Sequence, residues 1–147
     1  MTQFTPLAMT KKLVSYDTTS RESNLDLIEF ATGYLKDLGV NATLIHNAEK
    51  TKANLFATIG PTDVPGVVLS GHTDVVPVDG QDWTTKPFEP VRSGGRLFGR
   101  GTSDMKSFIA TALALAPDMI AADLKMPIHF AFSYDEEVGC LGVHGIV

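Results

Sequence analysis

The sequence has one cysteine, no run of basic residues and no long hydrophobic stretch, and each shortage excludes a class of protein. A lone Cys140 cannot form an internal disulfide, so we expect a reducing compartment and a cytoplasmic location. The formal net charge of −5 argues against a nucleic-acid partner. No apolar stretch approaches the roughly 20 residues of a membrane span, so we expect no membrane partner. Residues 1–10 lack the basic start and apolar core of a secretory signal.

The composition that remains is that of an ordinary globular domain. The chain has 147 residues, of which 44% are hydrophobic and 20% charged, enough to bury one core. Periodic apolar residues predict a helix that starts at Thr5-Pro6, one that runs from Ser23 to the terminating Gly39, and one that Asp104 opens and Pro117 ends.

Strands are predicted between these helices. The predicted strands are Ala42–His46, Asn54–Ile59, Val67–Gly71 and Pro127–Ser133, with a small hairpin over residues 91–98. Val67–Gly71 has few polar residues, which favours a central strand that is covered on both faces. The alternation of strands and helices predicts an α/β fold with a largely parallel sheet. In such sheets, functional sites form beyond the carboxyl ends of the strands.

A histidine and an acid follow the apolar run that ends at Leu69. His72 and Asp74 are two residues apart, so in a strand they point to the same face. A histidine that binds a metal usually donates its other ring N–H to a carboxylate, and Asp74 could be that partner. In isolation, the same pair is also typical of an ordinary surface contact.

Acidic residues also lie at the start of a predicted helix and at the end of another predicted strand. Asp104 begins a predicted helix, where the helix dipole alone would favour it. Glu136 and Glu137 follow a predicted strand; in an extended segment they would face opposite ways, so that one could bind a metal and the other act as a general base. Adjacent acids are also common on solvated surfaces. Ser70 and Cys140 lack the surroundings of a catalytic nucleophile, so the set favours a hydrolytic metal site.

Three ordered motifs together resemble those of a family of metal-dependent amidohydrolases and exopeptidases. The motifs are Gly-His-Thr-Asp-Val-Val-Pro at 71–77, Gly-Arg-Gly-Thr-Ser-Asp-Met-Lys at 99–106 and Asp-Glu-Glu-Val-Gly at 135–139. The resemblance covers nearly the whole chain and implies a three-layer helix–sheet–helix catalytic domain of the zinc-exopeptidase type. Residues 1–147 would form its N-terminal part, incomplete at the C-terminus. Family members are longer and add a dimerisation (lid) domain and the rest of the catalytic domain.

The resemblance also implies a role for each site residue. His72 matches a ligand of a first metal ion, and Asp74 matches the catalytic acid that orients it. Asp104 matches the ligand shared by two ions, and Glu137 a ligand of the second. Glu136 matches the general base for the attacking water. Two divalent ions, zinc or cobalt, are expected, together with a cis peptide bond after Asp104.

The implied reaction is amide hydrolysis. A small N-acyl amino acid would be the substrate, with N-acetyl-L-ornithine favoured, as in arginine biosynthesis, and the complete enzyme would be a homodimer. One alternative is another deacylase of the family, acting on succinyl-diaminopimelate or on other acylated amino acids. A second alternative is a truncated remnant without activity. We expect the 147-residue chain alone to be nearly inactive, because part of the ligand set of the family is absent from it.

Overall fold

A computed structural model describes residues 4–147; residues 1–3, part of the segment judged for a signal peptide, lie outside the described range. Its helices are α1 (Pro6–Val14), α2 (Leu25–Asp37) and α3 (Lys106–Ala121). Its strands are β1 (Ala42–His46), β2 (Ala53–Ile59), β3 (Val67–His72), β4 (Val91–Ser93), β5 (Arg96–Phe98) and β6 (Ile128–Ser133), followed by a 3-10 turn at Leu141–Gly145. None of the helices within residues 4–147 has both the length and the hydropathy that a bilayer crossing requires.

The starts and ends of α1 and α2 follow from a few residues. Thr5 caps α1, its hydroxyl accepting a hydrogen bond from the first turn, and Pro6 is the first helical residue, as predicted. Gly39 follows α2 with a φ of +81°, the left-handed conformation that glycine adopts without steric cost. The predicted cap Ser23 was wrong by one position. Asn24 takes the cap position, but its side chain bonds to other segments instead of to α2.

Helix α3 is longer than predicted, because Pro117 lies inside it and does not end it. Proline removes one backbone hydrogen bond and usually kinks or breaks a helix. Here Leu113 and Ala116, just before the proline, are fully buried, and Met119 after it also packs on the core. Tertiary packing on both sides of Pro117 therefore holds the last turn in place.

The main sheet is mixed, so the prediction of a largely parallel sheet was wrong. Its strand order is β1-β2-β6-β3, with antiparallel β1–β2 and β2–β6 pairs and a parallel β6–β3 pair. Strand β3, predicted to be central, is an edge strand among the described residues, and Val67 and Val68 are half exposed. The apolar composition of β3 indicates that it can be buried, but it does not identify its neighbours.

All three helices pack on one face of this sheet around a single core. Fully buried Leu55 of β2 and Phe130 of β6 contact a cluster that includes Leu13 of α1, Leu27 of α2 and Leu113 of α3. Each such side chain stabilises the fold by about 1.5–3 kcal/mol when it is buried. The α/β class is confirmed. The second helical layer of a three-layer arrangement is not formed by the helices of residues 4–147.

The parallel pair is the part of the fold that positions a site. The register aligns His72 of β3 with Ser133 of β6, so the two strands end side by side. The residues that follow both strands therefore emerge at the same end of the sheet, and the start of α3 lies beside Gly71 near the end of β3.

Candidate metal centre

His72 is the last residue of β3, and only 5% of it is exposed. Its Nδ1 lies 2.9 Å from the main-chain oxygen of Asp74 and 3.5 Å from the carboxylate oxygen Oδ1 of the same residue. Because Nδ1 donates to the Asp74 carbonyl, Nε2 is the ring nitrogen that could act as a ligand once it has lost its proton. Asp74 thus orients the imidazole mainly through its backbone, and not mainly through its carboxylate.

Asp104 approaches the other side of the imidazole. Its Oδ1 lies 3.0 Å from Nε2 of His72, and its side chain is 73% exposed. The Asp104–Met105 peptide bond is cis, which confirms that prediction. Helix α3 begins only at Lys106, so Asp104 precedes the helix and does not open it.

Glu136 and Glu137 lie in a turn after β6 and reach the same centre. One oxygen from each and one ring nitrogen of His72 all lie within 4.8 Å of one another. Oε2 of Glu136 is 3.6 Å from Nε2 of His72. The prediction that the two glutamates face opposite ways was wrong, because it assumed an extended segment. Because the chain turns here, the side chains of Glu136 and Glu137 both reach His72.

The grouped side chains fit a divalent metal ion. One imidazole nitrogen and several carboxylate oxygens are ligands that zinc accepts, and the nitrogen also suits cobalt. The structure brings His72, Glu136 and Glu137 into the tightest group and places Asp104 beside His72. A cavity of about 280 Å³ opens here, with Met105 in its wall. A larger cleft of about 740 Å³ at the far end of the sheet contains no such group of ligands in its lining.

The carboxylate of Asp74 anchors the turn that carries the glutamates. It is 2% exposed and accepts hydrogen bonds from Oγ of Ser20 at 2.7 Å and from the backbone N–H groups of Glu136 at 3.0 Å and Glu137 at 3.2 Å. Burial raises the pKa of Asp74, but His72 and these three donors together lower it below its usual value. An ionised Asp74 therefore holds the turn in place.

The charges at the centre favour a cation. Burial lowers the pKa of His72, but hydrogen bonds to Asp74 and Asp104 more than offset this effect and raise that pKa to about 9. Burial raises the pKa of Glu137, and the negative charge of Asp104 raises it further. A metal ion at this position would supply the positive charge that a proton on His72 otherwise supplies.

Comparison with known proteins assigns the family. The model of Peptidase family M20/M25/M40 matches residues 68–147, more than half of the chain, including all five predicted site residues. The chain belongs to this family. It is 38% identical over 122 residues to acetylornithine deacetylase from Shigella sonnei (strain Ss046), which covers 82% of this chain and 32% of the relative.

Two solved structures have a similar fold. The M20 family metallo-carboxypeptidase Sso-CP2 from Sulfolobus solfataricus matches 92% of this chain and 32% of its own, with a TM-score of 0.79 and 23% identity. Human carnosine dipeptidase 1 matches 97% of this chain and 34% of its own, with a TM-score of 0.77 and 24% identity. The chain therefore spans about a third of the length of these relatives.

Sequence analysis missed two residues that contact either the turn at residues 135–137 or Asp74, whose carboxylate anchors that turn. Ser20 lies in the loop before α2 and donates to Asp74, 54 positions away. Lys52 precedes β2 and contacts both Ser20 and Asp135. No local pattern marks either residue, because both contacts join segments that are distant in the sequence.

Lys106 is a third residue that was not singled out. It is fully buried, and its Nζ donates to the carbonyl of Tyr16 at 2.6 Å, which connects the start of α3 to the segment that follows α1. Burial lowers its pKa to about 7, although the nearby charges of Asp17 and Asp74 act in the opposite direction. Near pH 7 this buried amine is therefore only partly protonated, and it lies close enough to Asp74 of the candidate metal centre for their charges to interact.

Proposed function

We propose that this chain belongs to the catalytic domain of a metal-dependent amide hydrolase that removes the acetyl group from N-acetyl-L-ornithine, a step of arginine biosynthesis. The convergence of His72, Asp104, Glu136 and Glu137 beyond β3 and β6 carries the proposal. The 38% identity to acetylornithine deacetylase supports the substrate. Residues 1–147 would be the N-terminal part of this domain, within a cytoplasmic homodimer that also contains a lid domain.

Each residue has a role in this proposal. His72 and Asp104 would hold one ion, and Asp104 and Glu137 would hold the other. When bound, zinc or cobalt ions polarise the amide carbonyl and make water more acidic. Glu136 lies beside the cavity with its side chain 43% exposed, so its carboxylate can take the proton of the attacking water. Asp74 fixes the orientation of the His72 ring and the position of the turn that carries Glu136 and Glu137.

The ligand count predicts what the isolated chain can do. If Asp104 is counted for both ions, each ion has two protein ligands from residues 1–147, whereas catalytic zinc typically has three. We therefore expect a polypeptide of these 147 residues to bind zinc weakly and to be nearly inactive. Equilibrium dialysis against zinc and an assay for released ornithine measure both properties. Full occupancy with turnover equal to that of the complete protein would contradict this expectation.

Substitution of Glu136 tests the mechanism in the complete protein that carries this chain. Glu136→Gln should lower the rate of ornithine release by about 10²–10⁴-fold, because the base is lost, while metal content stays the same. Glu89→Gln is the matched control, since Glu89 is exposed and its ion pair within residues 4–147 is with the similarly exposed Lys86. Undiminished turnover in Glu136→Gln would refute its role. Faster hydrolysis of succinyl-diaminopimelate than of N-acetyl-L-ornithine would instead indicate a different deacylase.

A further inference from the structure

One lysine joins the two segments that hold Asp74. The carboxylate of Asp74 is bonded by Ser20 on one side and by the turn at Glu136 on the other. The Nζ of Lys52 donates to the backbone carbonyl of Ser20 and to the carboxylate of Asp135, the latter at 2.5 Å. The contacts therefore close a ring that runs through both segments and contains the anchor of the metal centre.

We propose that Lys52, through its ion pair with Asp135, is a positioning residue for the metal centre. This inference rests on the proposed function, because it assigns Lys52 to the same site. Lys52 touches none of the metal-ligating atoms. It acts by fixing the turn from which Glu136 and Glu137 extend.

The backbone of Asp135 shows what the ion pair has to hold. Asp135 has a φ of +54°, in the left-handed region that aspartate enters more readily than most residues. This conformation turns the chain after β6, so that two successive N–H groups point at the carboxylate of Asp74. The amide of Leu141 closes the turn by donating to the carbonyl of Asp135 at 3.0 Å. A rotation at Asp135 would therefore move both glutamates.

The setting of this ion pair differs from that of an ordinary surface pair. The side chains of Lys52 and Asp135 are only 13% and 15% exposed. Lys86 and Glu89 form a pair of similar length, 2.7 Å, with side chains 76% and 68% exposed. Exposed pairs contribute little, because water screens them and their side chains lose entropy. The pair at Lys52 is shielded and has a second acceptor in Ser20.

The effect on metal binding follows from this geometry. Without Lys52, the carboxylate of Asp135 loses its counter-charge and the carbonyl of Ser20 loses a donor. The turn can then drift from Asp74, and the glutamate oxygens no longer stay together near His72. Substitution of residues that orient metal ligands typically costs about 10–100-fold in metal affinity.

The test uses the complete metal-free protein and compares Lys52→Met, Lys52→Arg, Asp135→Asn and the control Lys86→Met. Zinc affinity is measured by competition with a chromophoric chelator, and the Co²⁺ absorption spectrum reports ligand geometry. We expect Lys52→Met and Asp135→Asn each to weaken zinc binding at least about tenfold and to alter the Co²⁺ spectrum. A double variant that combines Lys52→Met with Asp135→Asn should bind zinc no more weakly than either single variant does, whereas Lys52→Arg and Lys86→Met should bind zinc as the parent does.

Each other outcome has a definite meaning. A parent protein that binds no zinc would refute the proposed function itself. A parent that binds zinc, together with a Lys52→Met variant of equal affinity and spectrum, would overturn only the positioning role. Asp135→Gly keeps the left-handed turn accessible but removes the charge, so unchanged affinity there would also overturn it. If circular dichroism shows that Lys52→Met is unfolded, Asp135→Asn and Asp135→Gly decide the question.

Discussion

Replacement of Lys106 by methionine tests how the burial of this amine, close to the candidate metal centre, affects the free energy of unfolding. Lys106 is 0% exposed, and its Nζ bonds to the carbonyl of Tyr16. Burial lowers its pKa from 10.5 to about 7. Methionine has a similar length and no charge, so Lys106→Met removes the titration while it largely preserves packing.

The sign of the effect follows from proton binding. Between pH values of about 7 and 10.5 the unfolded chain binds more protons at Lys106 than the folded chain, so the free energy of unfolding rises with pH. The difference between the two pKa values corresponds to roughly 5 kcal/mol, and about 4 kcal/mol of that cost is still present at pH 7. Loss of the hydrogen bond leaves the Tyr16 carbonyl unsatisfied, which costs about 1–3 kcal/mol. Lys106→Met should therefore be more stable at pH 7 by about 1–3 kcal/mol.

Urea unfolding of the metal-free protein in EDTA measures this difference. From about pH 7 to about pH 9.5 the free energy of unfolding of the parent should rise by about 3 kcal/mol relative to that of Lys106→Met. Other titrating groups are common to both proteins and cancel in the comparison. Parallel pH profiles, or a Lys106→Met variant that is less stable at pH 7, would refute the argument.

Two further predictions concern the pH dependence of zinc binding at His72 and the stability effect of Gly142 in the 3-10 turn. Because His72 has a pKa of about 9 and must lose its proton to bind a metal, zinc affinity should rise about tenfold per pH unit from about pH 6 to 8, with proton release in calorimetry. Gly142→Ala should destabilise the protein by about 1–3 kcal/mol in urea, since its Cβ would lie 2.2 Å from the carbonyl oxygen of Tyr134. Gly33→Ala, the helical control with open space around its Cβ, should stabilise it by about 0.5–1 kcal/mol.

The positions of the site were predictable because local sequence determines them. His72 directly follows an apolar strand, and Glu136 follows another, so strand ends could be located from hydrophobic runs alone. Helix starts and stops at Pro6 and Gly39 likewise depend on neighbouring residues. The prediction of the cis bond after Asp104 had a different basis, because it rested on the family resemblance and no local pattern indicates such a bond.

The sheet and the side-chain geometry were harder to predict, because they depend on distant pairings. Apolar residues show that β3 can be buried, but its place at the edge depends on which strands pair. The interior position of Pro117 depends on packing that no helical rule includes. The glutamates converge because Asp135 takes a left-handed conformation, which an extended pattern would not suggest.

The distant contacts explain how an acid-rich centre can keep its shape. Asp104, Glu136 and Glu137 carry like charges near one another, so a flexible turn would move them apart. The structure opposes this by donating two main-chain N–H groups and one hydroxyl to the buried carboxylate of Asp74. These donors are fixed to separate segments, and Lys52 ties those segments together. The ligands that residues 4–147 supply are therefore already assembled, and an ion would not have to order them on binding, which favours metal binding by the complete protein that we propose.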